Sequence, residues 1–222
     1  MSAILLDLGR KEYGQVWELQ KQLVAARAAD RVQDTLILVE HEPVITLGRK
    51  TTPENFKPQN IPVFKVERGG DATLHAPGQL VGYPIIKLVE PDVHKFLRQL
   101  EEVLIRTASD LGVAANRKEG HTGVWSGEKK FASIGVAVTN WVTYHGFALN
   151  VSTDLSYFRL IRPCGLDPET ITSMEKLAGR DFSMHKVKEE VVSNFSEVFG
   201  TRLAPESLAH LNLSADGVAR AE

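Results

Sequence analysis

Apolar positions set out the elements of this chain. Tyr13, Val16, Trp17, Gln20, Leu23, Val24 and Arg27 recur at helical spacing with apolar types dominating, which predicts an amphipathic helix over about residues 11–29. Residues 35–40 (TLILVE) and 44–48 predict two short strands, with His41-Glu42-Pro43 as the turn between them. Residues 50–62 hold three prolines and predict a loop. A third strand is expected over 63–67, running into a loop over 68–79 that carries three glycines and a proline. Residues 80–88 (LVGYPIIKL) predict a strongly apolar strand, in which Pro84 calls for an edge position or a bulge. Val93, Phe96, Leu97, Leu100, Val103, Leu104, Thr107 and Leu111 mark one face of a helix that Gly112 ends. Residues 123–126, the turn Gly127-Glu128 and residues 130–138 read as a hairpin, followed by a strand over 141–151. Residues 152–172 have no regular pattern. Ser183 is placed to cap a last helix on Val187, Val191, Phe195, Val198 and Phe199, closed by Gly200, and the tail from Thr201 is weakly patterned. With no repeat, low-complexity run or linker, the pattern predicts one α+β domain over 1–222 with a mixed sheet holding at least two antiparallel pairs.

Composition narrows the function classes. A chain of 222 residues, 43% hydrophobic and 24% charged, can bury a sizeable core. The formal charge of −2 gives no bulk attraction for nucleic acid or for a membrane surface. The first residues lack the basic start and the apolar length of a signal peptide, and no apolar run approaches the roughly 20 residues that span a bilayer. The single cysteine allows no internal disulfide, which suits a reducing cytoplasm, so three Asn-x-Ser triplets read as chance matches to glycosylation sites.

Several familiar devices are missing: there is no phosphate loop, no Gly-x-Gly-x-x-Gly, no Gly-x-Ser-x-Gly elbow, and no metal-site spacing among one cysteine and seven histidines. Cys164 is left. A lone cysteine is more often an inert buried thiol than a nucleophile. Here, however, Pro163-Cys164-Gly165 is turn chemistry outside any apolar period, and the neighbouring glycine lets a substrate carbonyl come close. A thiol of pKa roughly 8.5 needs a base or a cation beside it. Lys130 fits, because strict alternation puts it on one strand face with Ala132, Ile134, Val136 and Val138; the ordinary alternative is a lysine snorkelling from a sheet edge. The Arg68–Gln79 loop carries Arg68 and His75 near its ends and is either a binding loop or a flexible hairpin connection. Gly146 and Ala148 share a strand face that either leaves a trough for an acyl chain or admits a packed helix.

Taken in order, eight segments within about residues 36–180 resemble the octanoyl transferases of the biotin/lipoate protein ligase superfamily. They are EHEPVITLG (40–48), RGGDATLHAPGQLVGYPI (68–85), GVW (123–125), KFASIG (130–135), HGFALN (145–150), DL (154–155), PCG (163–165) and TS (172–173). The resemblance implies a single domain with a central mixed, largely antiparallel sheet flanked by helices. It implies an enzyme that takes an octanoyl (or lipoyl) group from acyl carrier protein and passes it to a lysine of lipoyl domains of 2-oxoacid dehydrogenase complexes or of the glycine cleavage H protein, with no ATP and no metal. Cys164 would carry the acyl group as a thioester and Lys130 would activate it. The acyl-binding segments fall on Arg68, Gly69, Gly70, Asp71, Ala72, Thr73, Leu74 and His75, on Ser133, Ile134 and Gly135, and on Gly146, Phe147 and Ala148. The chain departs from the usual family pattern at Asp71, Ala76 and Phe131. Acyl carrier proteins are typically acidic, so Lys129, Arg159 and Arg162, extended by Arg117 and Lys118, are candidates for a local basic patch. Two other readings are an ATP-dependent lipoate ligase that needs no Cys164, and a non-catalytic protein that binds lipoyl domains or acyl carrier protein.

Overall fold

The computed structural model describes residues 2–52, 55–56, 60–161 and 167–211, the side chain of His210 excepted. An eight-stranded sheet runs through them in the order β11-β1-β2-β6-β10-β9-β8-β7, beside a small sheet ordered β4-β3-β5. In the large sheet β1 (Ser2–Lys11) pairs parallel with both β11 (Arg202–Pro205) and β2 (Thr35–His41). Every other junction, through β6 (Gln79–Ile85), β10 (Val142–Asn150), β9 (Lys129–Thr139), β8 (His121–Ser126) and β7 (Asn116–Lys118), is antiparallel. The small sheet is made of β3 (Val44–Leu47), β4 (Val63–Lys65) and β5 (Thr73–His75). The mixed, largely antiparallel sheet expected of an α+β chain is what forms.

Helices cover both faces. On one, α1 (Tyr13–Ala28) buries Tyr13, Val16, Leu19 and Leu23 against Ile37, Val81, Tyr83 and Ala148. Glu12 starts this helix, its carboxylate accepting from the Gly14 and Gln15 N–H groups. On the other face, α2 (Val93–Asp110) and α4 (Met184–Phe199), with the short α3 (Met174–Ala178), pack Phe96, Leu100, Val103, Val187, Val191 and Phe195 over Leu36, Leu80, Phe131 and Leu149. Gly112 and Gly200 stand at the ends of α2 and α4 with φ of +76° and +60°, as a helix C-terminus favours. Ser183 takes the N-cap position of α4, but its side chain makes no capping hydrogen bond. A third core, Ile45, Ala72, Leu74, Phe158, Ile161 and Ile171, fastens the small sheet to the stretch leaving β10.

Pro84 lies on an interior strand, between β2 and β10, where an edge or a bulge was expected. It pairs with Leu36 of β2, while the regular ladder to β10 stops at Gly82. Beyond that point Thr143 takes over. Its Oγ donates to Pro84 O at 2.7 Å and accepts from Ile86 N–H at 3.0 Å, so the missing proline donor falls where the ladder is already interrupted. β1, β5, β7, α3 and β11 went unforeseen. The three-residue strands and the five-residue helix are too short to show a period, and β11 exists by pairing with β1 from the opposite end of the chain, β1 itself lying between β11 and β2.

Candidate active site

A narrow cavity of about 50 Å³ opens where α1, the small sheet, β6, β9 and β10 meet. Of the residues singled out in the sequence, Arg68, Gly69, Gly70, Ala72, Thr73, His75, Lys130, Ser133, Ile134, Gly135, Gly146, Phe147 and Ala148 line it together. Asp71 and Leu74 do not. Asp71 turns away to accept from Asn55 Nδ2 (2.5 Å) and from Ala72 N–H (2.6 Å), and Leu74 is buried in the third core. Cys164 lies outside the described residues. Tyr13, Tyr83 and His145 complete the wall; the helical period marked Tyr13 only as a core position, and its ring stacks on His75 at 5.8 Å.

Arg68 serves the loop more than the cavity. Its Nη1 donates to Asp71 O (2.7 Å) and Gly69 O (3.1 Å), and its Nη2 donates to Thr46 O (2.7 Å) and Thr46 Oγ1 (2.9 Å). The guanidinium therefore staples residues 68–71 to β3. Two glycines let this fit. A Cβ on Gly48 would lie 2.5 Å from Gly70 O, and one on Gly135 would press on Gly69 O at 3.2 Å. The loop returns to β6 through a turn at Ala76-Pro77-Gly78-Gln79, closed by Gln79 N–H to Ala76 O and with Gly78 at φ +79°, which suits a type II turn. Ala76, one of the departures from the family pattern, has ordinary negative φ and is packed in the third core; Phe131 is buried on the opposite face of the sheet. All three departures thus stand off the cavity wall.

Lys130 is only 5% exposed. Its Nζ sits 5.7 Å from the centroid of the Trp125 ring. Across the β8–β9 junction the register shifts, Val124 facing Ala132 but Trp125 facing Lys130. One extra residue of β9 is inserted there, so the strict alternation that put Lys130 on the face of Ala132 and Ile134 breaks at Phe131, and Lys130 turns to the cavity. Gly123 makes the room. Its φ is +127°, and a Cβ would lie 2.6 Å from Lys130 Cε. The buried carboxylate of Glu101 holds that glycine by accepting from its N–H at 3.1 Å. Lys130 also anchors the chain that returns from Cys164: Ile171 bridges to it, and Thr172 N–H donates to its carbonyl at 2.8 Å.

Three histidines are buried around the cavity, and each is held well below its ordinary value by burial. His41 falls to about 4 and His75 to about 3, while His145 falls to about 4 with help from the Arg68 charge and against the pull of Glu67. The Tyr13 and Tyr83 hydroxyls are pushed up for the same reason. His145 has φ +55°, and its N–H leaves the ladder to donate to Gln20 Oε1 at 2.8 Å. A pH dependence follows from the depressed values. Between pH 6.5 and about 3 to 4 the unfolded chain binds more protons than the folded one. The stability that neutral burial contributes is therefore complete above pH 6.5. It falls as pH drops through that window, at roughly 1.4 kcal/mol per pH unit for each histidine that is charged only in the unfolded chain. Urea midpoints measured from pH 7 to 4 should decline, and the decline should be shallower in His75→Gln; a flat curve would contradict neutral burial.

Comparison with known proteins agrees with this geometry. Residues 12–196 match the family model of the lipoyl protein ligase A/B catalytic domain. An octanoyltransferase of Syntrophotalea carbinolica is 49% identical over 207 residues, covering 92% of this chain and 98% of that protein. One from Rubrobacter xylanophilus is 45% identical, covering 86% and 91%. Among solved structures, a lipoate-protein ligase A bound with ATP shares the fold with a TM-score of 0.75 at 18% identity over 93% of this chain and 89% of that one. A biotin protein ligase from Aquifex aeolicus shares it more distantly, with a TM-score of 0.53 at 13% identity over 90% and 69%. The chain belongs to the lipoyl protein ligase A/B catalytic domain family, among its octanoyltransferases.

Proposed function

We propose that this acyltransferase moves an octanoyl group from an acyl carrier protein thioester to a lysine of a lipoyl domain, through a thioester on Cys164. The observation that carries the reading is the setting of Lys130. It is buried at the cavity, seated on Gly123, and its own backbone holds the chain that returns from the only cysteine. In the first half-reaction the Cys164 thiolate attacks the carrier thioester carbonyl. The C–S bond to the carrier breaks as the Lys130 ammonium gives its proton to the departing thiolate. In the second, the acceptor amine attacks the Cys164 thioester, loses a proton to the now neutral Lys130, and expels the Cys164 thiolate. The products are an amide and a free carrier thiol. ATP and metal have no part, because a thioester is already an activated acyl donor. Ile134, Phe147 and Ala148 give the acyl chain an apolar wall, and oxyanion support falls to loop amides other than those of Gly69 and Ala72, which already donate to Val136 O and Asp71 Oδ1. The test is intact-mass measurement after mixing with octanoyl-acyl carrier protein: a hydroxylamine-labile octanoyl adduct on Cys164 is expected, and no adduct would sink the reading.

The donor should meet a basic rim, displaced from the one expected in the sequence. Lys129 Nζ donates to Glu169 O and Arg159 faces the Glu169 carboxylate at 3.7 Å. Arg117 is paired with Glu101 and Glu102, and Lys118 with Glu128; Arg162 lies outside the described residues. Arg49 and Lys50 are exposed next to the cavity loop, their N–H groups bonded to Arg68 O and Gly70 O, and among the described residues neither forms an ion pair. Donor KM should rise about tenfold between low and high salt, and Arg49→Glu with Lys50→Glu should reproduce much of that rise at low salt. A salt-independent KM would remove the rim from the mechanism.

A further inference from the structure

Two buried amides beneath the cavity are oriented without ambiguity, and together they fix the protonation of His75. Asn150 Nδ2 lies 3.0 Å from Thr172 O, and Gln79 Nε2 lies 3.2 Å from Leu74 O. A backbone carbonyl only accepts, so both facing atoms must be the amide nitrogens. Asn150 Oδ1 then accepts from Gln79 Nε2 at 2.8 Å, and Gln79 Oε1 is left to face His75 Nδ1 at 2.7 Å. An amide oxygen can only accept, so Nδ1 carries the proton and Nε2 carries the lone pair. Gln79 is 1% exposed and Asn150 4%, so water does not compete for these bonds.

The ring is enclosed on its other sides. Tyr13 stacks on it, and His41 meets it edge-on at 5.7 Å. His41 itself is committed, with Nδ1 against Lys11 O and Nε2 against the Tyr83 hydroxyl. Arg68 and His145 are the remaining charged or titratable groups that act on His75. Among the described residues nothing donates to His75 Nε2, and the residue lines the cavity with Lys130.

We propose that Gln79 and Asn150 are positioning residues. They hold His75 in its Nδ1–H form so that Nε2 accepts a hydrogen bond from the attacking lysine amine, turning the amine's lone pair toward the acyl carbonyl. The proposal rests on the transfer reading for its substrate. The amine has two N–H groups; Lys130 takes the proton that must leave, and His75 Nε2 holds the other N–H without taking its proton. Burial suits that task, because a ring that stays neutral at working pH keeps its lone pair. The relay also ties three parts of the site together: Asn150 reaches Thr172, and Thr172 N–H reaches the carbonyl of Lys130.

Two measurements test this. Long-range proton–nitrogen correlation spectra of the histidine-labelled protein, with His75 assigned by His75→Gln, should show protonated Nδ1 and unprotonated Nε2; a proton on Nε2 overturns the proposal without reference to activity. In single-turnover assays, Gln79→Met and Asn150→Ala should slow transfer from the acyl-enzyme to the amine about tenfold while leaving acyl-enzyme formation within about twofold. Equal slowing of both halves would mark a merely structural role and overturn it. The tautomer spectrum is taken on the unsubstituted protein, so it decides the proposal even where a Gln79 or Asn150 variant fails to fold. If the unsubstituted protein forms no acyl-enzyme, the transfer reading fails on its own, and the tautomer spectrum still decides the protonation of His75.

Discussion

Cys164→Ala should reduce octanoyl transfer by about a thousandfold or more and abolish the hydroxylamine-labile adduct. The size follows from what the thiol does in the proposed route. Without it, the acceptor amine must attack the carrier thioester directly, with both proteins bound at once in one narrow site. Lys130 would remain as a base and the loop amides as an oxyanion support, so a residual rate above that in water is expected. Cys164→Ser separates nucleophilicity from shape. A serine hydroxyl fits where a thiol fits, but Lys130 cannot hold it ionised near neutral pH, so it should be nearly as inactive as alanine. Melting temperature and lipoyl-domain binding, measured beside transfer in both variants, tell a lost thiol from a lost fold. Full transfer by Cys164→Ala, dependent on added ATP, would replace this route with the adenylating one.

Much of this site is legible in the sequence, and the exceptions have physical causes. α2 was readable because its buried Phe96, Leu100, Val103, Leu104 and Thr107 lie on one face against a polar opposite face. The cavity loop was readable because three glycines, a proline and an arginine in one short stretch have no use in a strand or a helix. The role of Arg68 was not. An arginine at the end of a glycine-rich loop reads as part of a binding loop, and only the fold shows four acceptors already gathered around its guanidinium. Strict alternation correctly put Lys130 on a strand and misread its face, since a one-residue bulge leaves no trace in hydropathy when the inserted residue, Phe131, is itself apolar. Tyr13, His41, His75 and Tyr83 come from four different elements, and no local pattern can bring them together. Gln79 and Asn150 were quoted as parts of motifs, yet their chemistry depends on which carbonyls lie opposite them, and that is a property of the assembled sheet.

Lys130 is the second large lever, and its substitutions should separate two tasks that the proposed route assigns to one nitrogen. As an ammonium it stabilises the Cys164 thiolate; as a free amine it takes the proton of the acceptor lysine. Lys130→Ala loses both, and transfer should fall about 100- to 1,000-fold. Alkylation of Cys164 by iodoacetamide at pH 7 should slow as well, because the thiol returns toward its ordinary value near 8.5 and less of it is thiolate. Lys130→Arg keeps the charge but cannot release a proton near neutral pH. It should retain part of the fast alkylation and part of acyl-enzyme formation, yet stall with the acyl group on Cys164. Gly123→Ala gives an independent handle, since it leaves the lysine in place and moves it. The new Cβ would have to share space with Lys130 Cε, 2.6 Å away, at a φ of +127° that L-residues rarely adopt. Alkylation should slow in this variant too, and Glu101 should keep the local strand from unravelling by holding the residue 123 N–H. The measurement is alkylation rate against pH for all four proteins, beside single-turnover transfer. If Lys130→Ala leaves the alkylation profile where it was, Lys130 is not the partner of Cys164, and one of the two histidines that line the cavity, His75 or His145, becomes the better candidate.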